Sequence, residues 1–147
     1  MINAATIMIQ IQEWLKADPD LQGFIVERSE PVNEDPGRAV NGWIGLYRKT
    51  LDYDPRNLGV APNNYEADFE FLVFVQRTSL ESGASAEDIL EATIKTVLDK
   101  MVQLPKTHID HFAEILIDYT YLETDRKTMY FQGALITFTA EVSSEVK

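Results

Sequence analysis

Residues 65–78 of this 147-residue chain read YEADFEFLVFVQRT, and this stretch decides the fold. Successive side chains of a β-strand point to opposite faces, so alternate residues share a face. One face is fully apolar and carries Phe69, Phe71, Val73 and Val75. The other face starts with acidic residues and becomes apolar towards its end; it carries Glu66, Asp68, Glu70, Leu72, Phe74 and Gln76. The pattern predicts a strand with one buried face and a second face that is solvent-exposed at the beginning of the strand.

The sequence around this strand predicts two helices and four further strands. Apolar residues at helical spacing indicate helices over 3–17 and over 86–102, the second capped by Ser85. Alternation predicts strands over 23–29, 43–51, 113–122 and 130–142, the last two joined as a hairpin. Strands in runs indicate an α+β domain with a mainly antiparallel sheet of about five strands. We expect the order α-β-β-β-α-β-β, with both helices on one face of the sheet.

The chain is expected to form a single domain over 1–147 with two long projecting loops, 30–42 and 52–64. Both loops are rich in Pro, Asn and Gly or Asp, and loops of this length are commonly functional.

Charge and composition exclude several kinds of function. The chain carries 13 Lys and Arg against 24 Asp and Glu, a formal net charge of −11, and it has no Cys. Thiol chemistry, disulfides and cysteine metal sites are therefore excluded. Scattered positive charges argue against sequence-independent binding to nucleic acid and against anionic membranes. The first residues lack the basic and apolar pattern of a targeting signal, and no stretch reaches the ~20 apolar residues of a membrane span.

Two groups of residues could carry chemistry, but the sequence favours a simpler interpretation of each. The stretch His108-Ile109-Asp110-His111 could hold a metal ion; we favour a polar loop that leads into a strand. The carboxylates of Glu66, Asp68 and Glu70 could serve acid–base chemistry, but we favour an exposed charged strand face. Alternatively, they meet basic residues of a neighbouring subunit. No catalytic residue, metal or cofactor is expected.

Two features near the long loops remain ambiguous. Asp52-Tyr53-Asp54 with Asn57 offers oxygen ligands, but the sixth position lacks the glycine of a calcium loop, which favours a turn. Trp43 is equally consistent with a core residue of a middle strand and with an interface anchor.

The order and spacing of these elements resemble a known family. The strand 65–78 ends in FVQRT, a Gly/Ala/Ser linker leads into the long helix 86–102, and the terminal hairpin finishes with GALITFTAE at 133–141. This arrangement resembles the tail-terminator, or tail-completion, proteins of long-tailed bacteriophages and the related minor tail and neck proteins of that fold.

The resemblance implies a structural virion protein rather than an enzyme. Such subunits form a homo-hexameric ring that caps the tail tube, stops its elongation and joins it to the head–tail connector. The implied partners are further copies of the chain, the tail-tube protein and a neck protein, while DNA passes without specific binding. The implied location is the virion, with the host cytoplasm during assembly. Residues expected at the subunit or tube interface are Arg38, Trp43, Asp52, Tyr53, Asp54, Arg56 and Asn57.

Three other functions remain open. The chain could be a different neck or head-completion protein. It could be a small hydrolase that uses Asp and Glu, or the pair His108 and His111. It could also bind a small molecule or peptide in a cleft lined by Trp43, Tyr47 and Tyr65.

Overall fold

The computed structural model describes residues 2–30, 41–53, 66–105, 108–121 and 130–143. Its elements confirm the predicted order. They are α1 (Ala4–Lys16), a one-turn 3₁₀ helix (Pro19–Leu21), β1 (Ile25–Arg28), β2 (Trp43–Tyr53), β3 (Glu66–Ser79), α2 (Gly83–Val102), β4 (Ile109–Tyr121) and β5 (Tyr130–Ser143). Neither described helix is long and apolar enough to cross a membrane.

The five strands form one sheet in the spatial order β1-β2-β3-β5-β4. Only β1 runs parallel to its neighbour β2, and the other three pairings are antiparallel. The sheet is therefore mainly antiparallel, as predicted. The expected hairpin is confirmed by the pairing of β4 with β5, although its turn lies outside the described residues.

Both helices pack on the same face of the sheet, as the sequence predicted. The apolar stripe of α1 is buried there through Ile7, Ile11 and Leu15, because these residues recur at helical spacing. The alternate residues of β3 from Phe69 to Val75 belong to the same core cluster. The stripe of α2 completes this core with Leu90, Ile94, Val97 and Met101.

The two helices are tied to each other at their ends. The indole Nε1 of Trp14 in α1 donates to the carbonyl oxygen of Lys100 in α2 at 2.8 Å. The ammonium of Lys100 lies 3.0 Å from a carboxylate oxygen of Asp18, just after α1. The hydrogen bond with Asp18 raises the pKa of Lys100 above its ordinary value. The charged form of Lys100 is therefore the one that stabilises the contact.

Several element boundaries differ from those predicted, and two of the differences affect residues singled out above. The strand β2 runs to Tyr53, so Asp52 and Tyr53 pair with β3 rather than opening a loop. The strand β4 begins at Ile109, because pairing with β5 starts where the N–H of Ser143 donates to the carbonyl of His108 at 2.9 Å. The stretch from His108 to His111 is therefore largely strand, not loop.

The start of α2 was also predicted wrongly. Its N-cap is Ser82, whose hydroxyl accepts from the N–H of Ser85 at 3.0 Å. Ser85 cannot be the N-cap because the helix already begins at Gly83. The Ser85 hydroxyl instead accepts a hydrogen bond from the hydroxyl of Ser79 at 3.1 Å.

We expect the stability of the sheet to depend on the absence of a side chain at Gly45. A Cβ at this position would lie 2.6 Å from Cη2 of Trp43, a fully buried ring that cannot move aside cheaply. Gly45→Ala should therefore lower the free energy of unfolding by about 1–3 kcal/mol. Urea titration followed by circular dichroism measures this change.

Gly83→Ala is the matched control for this substitution. A Cβ there meets only Cδ1 of Tyr130, at 3.9 Å, and Gly83 begins a helix. Its effect should stay below about 1 kcal/mol. Equal losses in both variants would show that the Trp43 contact does not limit stability.

Candidate functional site

The face of the sheet opposite the two helices is the candidate functional surface, and we call it the open face. Among the described elements, no helix packs on it. It is divided along the strands into an acidic end and an apolar end, because the outward residues of each strand change character along its length.

The acidic end is built around three carboxylates on three adjacent strands. Asp52 of β2 pairs with Asp68 of β3, and Asp68 pairs with Glu141 of β5. Residues directly opposite each other on neighbouring strands have Cβ atoms only about 4.5–5.5 Å apart, and like charges placed so are destabilising. These three residues, the acidic row, therefore concentrate negative charge on the open face.

Two basic groups lie at the borders of this acidic end. The imidazole Nε2 of His111 in β4 lies 3.4 Å from a carboxylate oxygen of Glu141, and both side chains are more than half exposed. The ammonium of Lys49 lies 2.9 Å from Glu70, in the row next to the acidic row. Lys49 lies on β2 and His111 on β4, on either side of the central strands β3 and β5, so the middle of the acidic end, at Asp68, has neither beside it.

The apolar end is formed by Trp43, Phe74 and Phe131, with Leu135 packed against them. The rings of Trp43 and Phe74 meet edge to face, with centroids 5.8 Å apart. The indole Nε1 of Trp43 donates to a carboxylate oxygen of Glu27 at 2.7 Å, which satisfies the polar atom of a side chain that is only 1% exposed. Trp43 is thus a core residue of the open face.

Of the predicted interface residues, three lie within the described part of the chain. Asp52 is exposed in the acidic row and Trp43 is buried at the apolar end. Tyr53 lies on the helix side, where its hydroxyl accepts from the N–H of Ile2 at 3.2 Å. The remaining four lie outside the described residues: Arg38, Asp54, Arg56 and Asn57. The place of all seven residues in an interface stays a prediction.

The described residues do not bring the two histidines together as a metal site. His108 Nδ1 is hydrogen bonded to the carbonyl oxygen of Ser143 at 3.0 Å, whereas His111 faces Glu141. Within the described ranges, no group of three or more His, Asp or Glu is placed to hold a metal ion.

A cleft of about 360 Å³ lies beside the end of β1, on the helix side of β2. Ala5 and Met8 of α1 form one wall, and Arg28, Leu46 and Arg48 contribute to the other. Tyr47 also lines this cleft, and it is one of the three residues expected to line a cleft if the chain binds a small molecule or peptide. Trp43 does not line it, and Tyr65 lies outside the described residues.

Two further titratable groups are perturbed, both on the helix side. A hydrogen bond to Glu91 of α2 raises the pKa of Tyr119 in β4. Burial lowers the pKa of Arg77, whose guanidinium donates to the Thr93 hydroxyl at 3.0 Å and lies 4.9 Å from the ring of Phe24. Both contacts join the sheet to its helical layer, so we assign them to packing.

Comparison with known proteins adds a fold relationship. No protein-family model matches the sequence, and no curated protein matches it. Among solved structures, the chain resembles one from the "Virion of native gene transfer agent (GTA) particle", with a TM-score of 0.52 and 16% sequence identity. The match covers 97% of this chain and 99% of that chain. The two chains therefore share their fold over nearly their whole length.

The acidic row yields a prediction about stability. Asp68→Asn removes the middle charge of three that face one another, so it should raise the free energy of unfolding by about 0.2–1 kcal/mol. The gain should be smaller at about 1 M salt than at about 0.01 M, because salt screens the repulsion between exposed carboxylates and leaves less for the substitution to relieve. Urea titrations at both salt concentrations measure it.

Asp118→Asn is the control, since Asp118 is an exposed carboxylate that pairs with the uncharged Leu135. It should change stability less than Asp68→Asn at low salt. A loss of stability in Asp68→Asn would contradict repulsion within the acidic row.

Proposed function

We propose that this chain is a structural subunit of a phage-type particle and acts as a tail terminator. It assembles as a ring of six copies, caps the tail tube, stops its elongation and offers a surface to a neck protein. The observation that carries the proposal is the fold shared, end to end, with a chain of a gene transfer agent virion. The element order that resembles tail terminators supports the finer role.

The open face supports a particular orientation in such a ring. The helices cover the other face and would form the outside of the ring, so the open face would line the central channel. Its acidic row then faces passing DNA. Six copies at a formal charge of −11 each carry −66, and a channel lined by carboxylates repels phosphates and keeps DNA from adhering.

The same orientation gives the ring two different rims. The acidic row lies at one end of the strands and Trp43 with Phe74 at the other, so one rim lies near each. At the apolar end, Trp43, Phe74 and Phe131 are buried within the subunit, at 1%, 4% and 5% exposure, so these rings do not themselves form a contact surface. We assign the two partners, the tail tube and the neck protein, to opposite rims.

Assembly is tested by the mass of the purified protein. Light scattering should give about six times the 16.7 kDa subunit mass, alone or when tail tubes of the parent particle are added. Negative-stain images should show density at tube ends and tubes of uniform length. A protein that stays monomeric with tubes present and leaves tube length unregulated would contradict the proposal.

The channel is tested by reversing charge at its centre. Glu66→Lys with Asp68→Lys changes two exposed residues of the middle strand β3, away from both sheet edges. Rings of this variant should bind linear duplex DNA at about 50 mM salt and release it near 200 mM, because phosphate binding is strongly salt dependent. They should not bind covalently closed circles, which cannot thread a channel. Fluorescence anisotropy measures both.

The matched control makes the same charge change on the helices, with Glu13→Lys and Asp88→Lys, both exposed. DNA bound outside the ring needs no free end, so this variant should bind linear and circular duplexes alike. If the Glu66 and Asp68 variant also binds circles as well as linear DNA, the open face does not line the channel.

A further inference from the structure

The sheet has two edges that are open among the described residues. In the sheet formed by the described residues, β4 (Ile109–Tyr121) is the edge strand, and the stretch of it used below is 111–116. At the other edge, β1 pairs with only four residues of β2, Trp43 to Leu46, and the N–H of Ser29 makes the last bond, to the Leu46 carbonyl at 3.0 Å. Within the described part of the chain, no strand covers β2 from Tyr47 to Asp52. Open edges present unpaired backbone donors and acceptors that pair readily with another strand.

The cross-strand register shows what each edge would present to the other. A row that begins at Tyr47 passes through Leu72 and Thr137 and ends at Leu116. Both end residues are large, apolar and exposed, Tyr47 by 39% and Leu116 by 49%. If the sheets of two copies continued each other in line, Leu116 of one copy would contact Tyr47 of the next.

The next two rows of the open face each end in an acidic residue at one side and a basic residue at the other. The row of Thr50 and Glu70 ends at Glu114, and Lys49 lies at its β2 end, against Glu70. The acidic row begins at Asp52 and, through Asp68 and Glu141, ends at His111. If the sheets of two copies continued each other in line, Glu114 of one copy would therefore lie opposite Lys49 of the next. In the same way, His111 of one copy would lie opposite Asp52 of the next.

The rows on the helix side contain no opposed like charges. Their two ends, read from the same register, are Arg48 with Ile115, Leu51 with Phe112, and Tyr53 with Ile109. Two of these three pairs are apolar.

Strand direction also fits this arrangement. The strands β2 and β4 run in opposite directions in the sheet. Copies related by a rotation about an axis along the strands would therefore pair β4 of one copy antiparallel with β2 of the next.

We propose that copies of this chain join edge to edge, with β4 residues 111–116 of one copy pairing antiparallel with β2 residues 47–52 of the next. The occupant of each open edge is thus a second copy. The contact joins two different surfaces, so it is heterologous, and a repeated rotation closes it into a ring. Closure at six copies rests on the proposed function; the pairing of the two edges does not.

The absence of cysteine allows a direct test by cross-linking. The variant Tyr47→Cys with Leu116→Cys places one thiol at each end of the same row, and the chain has no other. Within one copy, the two positions are separated by two intervening strands, so an internal disulfide is excluded. Mild oxidation should give a ladder of covalent oligomers in denaturing gels, ending at the closed ring. Each single-cysteine variant should give at most a dimer.

A charge exchange tests the register independently. Lys49→Glu opposes Glu114 of the neighbour, and Glu114→Lys opposes Lys49, so each single variant should raise the dissociation constant for self-association about tenfold or more. The double variant, Lys49→Glu with Glu114→Lys, should restore association. Sedimentation velocity measures all three, and circular dichroism checks that each variant is folded. The pair Glu13→Lys and Asp88→Lys on the helices should leave association unchanged.

The outcomes separate this inference from the proposed function. Rings that form but give no cysteine ladder, and whose charge exchange fails to restore association, would overturn the edge pairing and leave the terminator role standing. Cysteine ladders and restored association in rings that never cap tail tubes would support the edge pairing and refute the terminator role. A folded protein that never self-associates, with or without tubes, would overturn both.

Discussion

The stack of Phe71 on Phe138 is the contact on which the rest of the structure depends. The rings are nearly parallel, with centroids 5.1 Å apart, and they lie directly opposite each other on the two central strands. Both are fully buried in the cluster that also holds the stripes of α1 and α2. Because the helices must cover these rings, they share one face, and among the described elements no helix covers the other. The acidic row lies on this second face.

Local patterns in the sequence were enough to predict the elements and the covered face. The alternation from Phe69 to Val75 and the helical spacing from Ile7 to Leu15 each report burial within one element, so no distant partner needs to be known. The boundary errors arose where local signals compete. Ser82 and Ser85 are both good helix caps, and the start of β4 is masked by polar residues of an edge strand.

The candidate site was much less predictable, because it exists only through register. Asp52, Asp68 and Glu141 are far apart along the chain, and a shift of one residue in either pairing would send a carboxylate to the other face. Lys49 reaches Glu70 at a bulge in β2, between Arg48 and Thr50, which alternation does not reveal. Trp43 had two equally good interpretations until its indole was seen to be buried and bonded to Glu27. The complementarity of the two sheet edges also depends on rows of residues that cross four strands, so no single segment of the sequence indicates it.

The long central ladder also has a mechanical consequence. Strands β3 and β5 pair over 14 residues without a register shift, whereas the outer pairings of β2 and β4 are interrupted by bulges. Tension along the strands loads all hydrogen bonds of the central ladder in shear at once, while tension across them opens one bond after another. The subunit should therefore be stiff along its strands and most compliant at β2 and β4. Small changes in the curvature of the sheet can be absorbed there without disturbing the aromatic core.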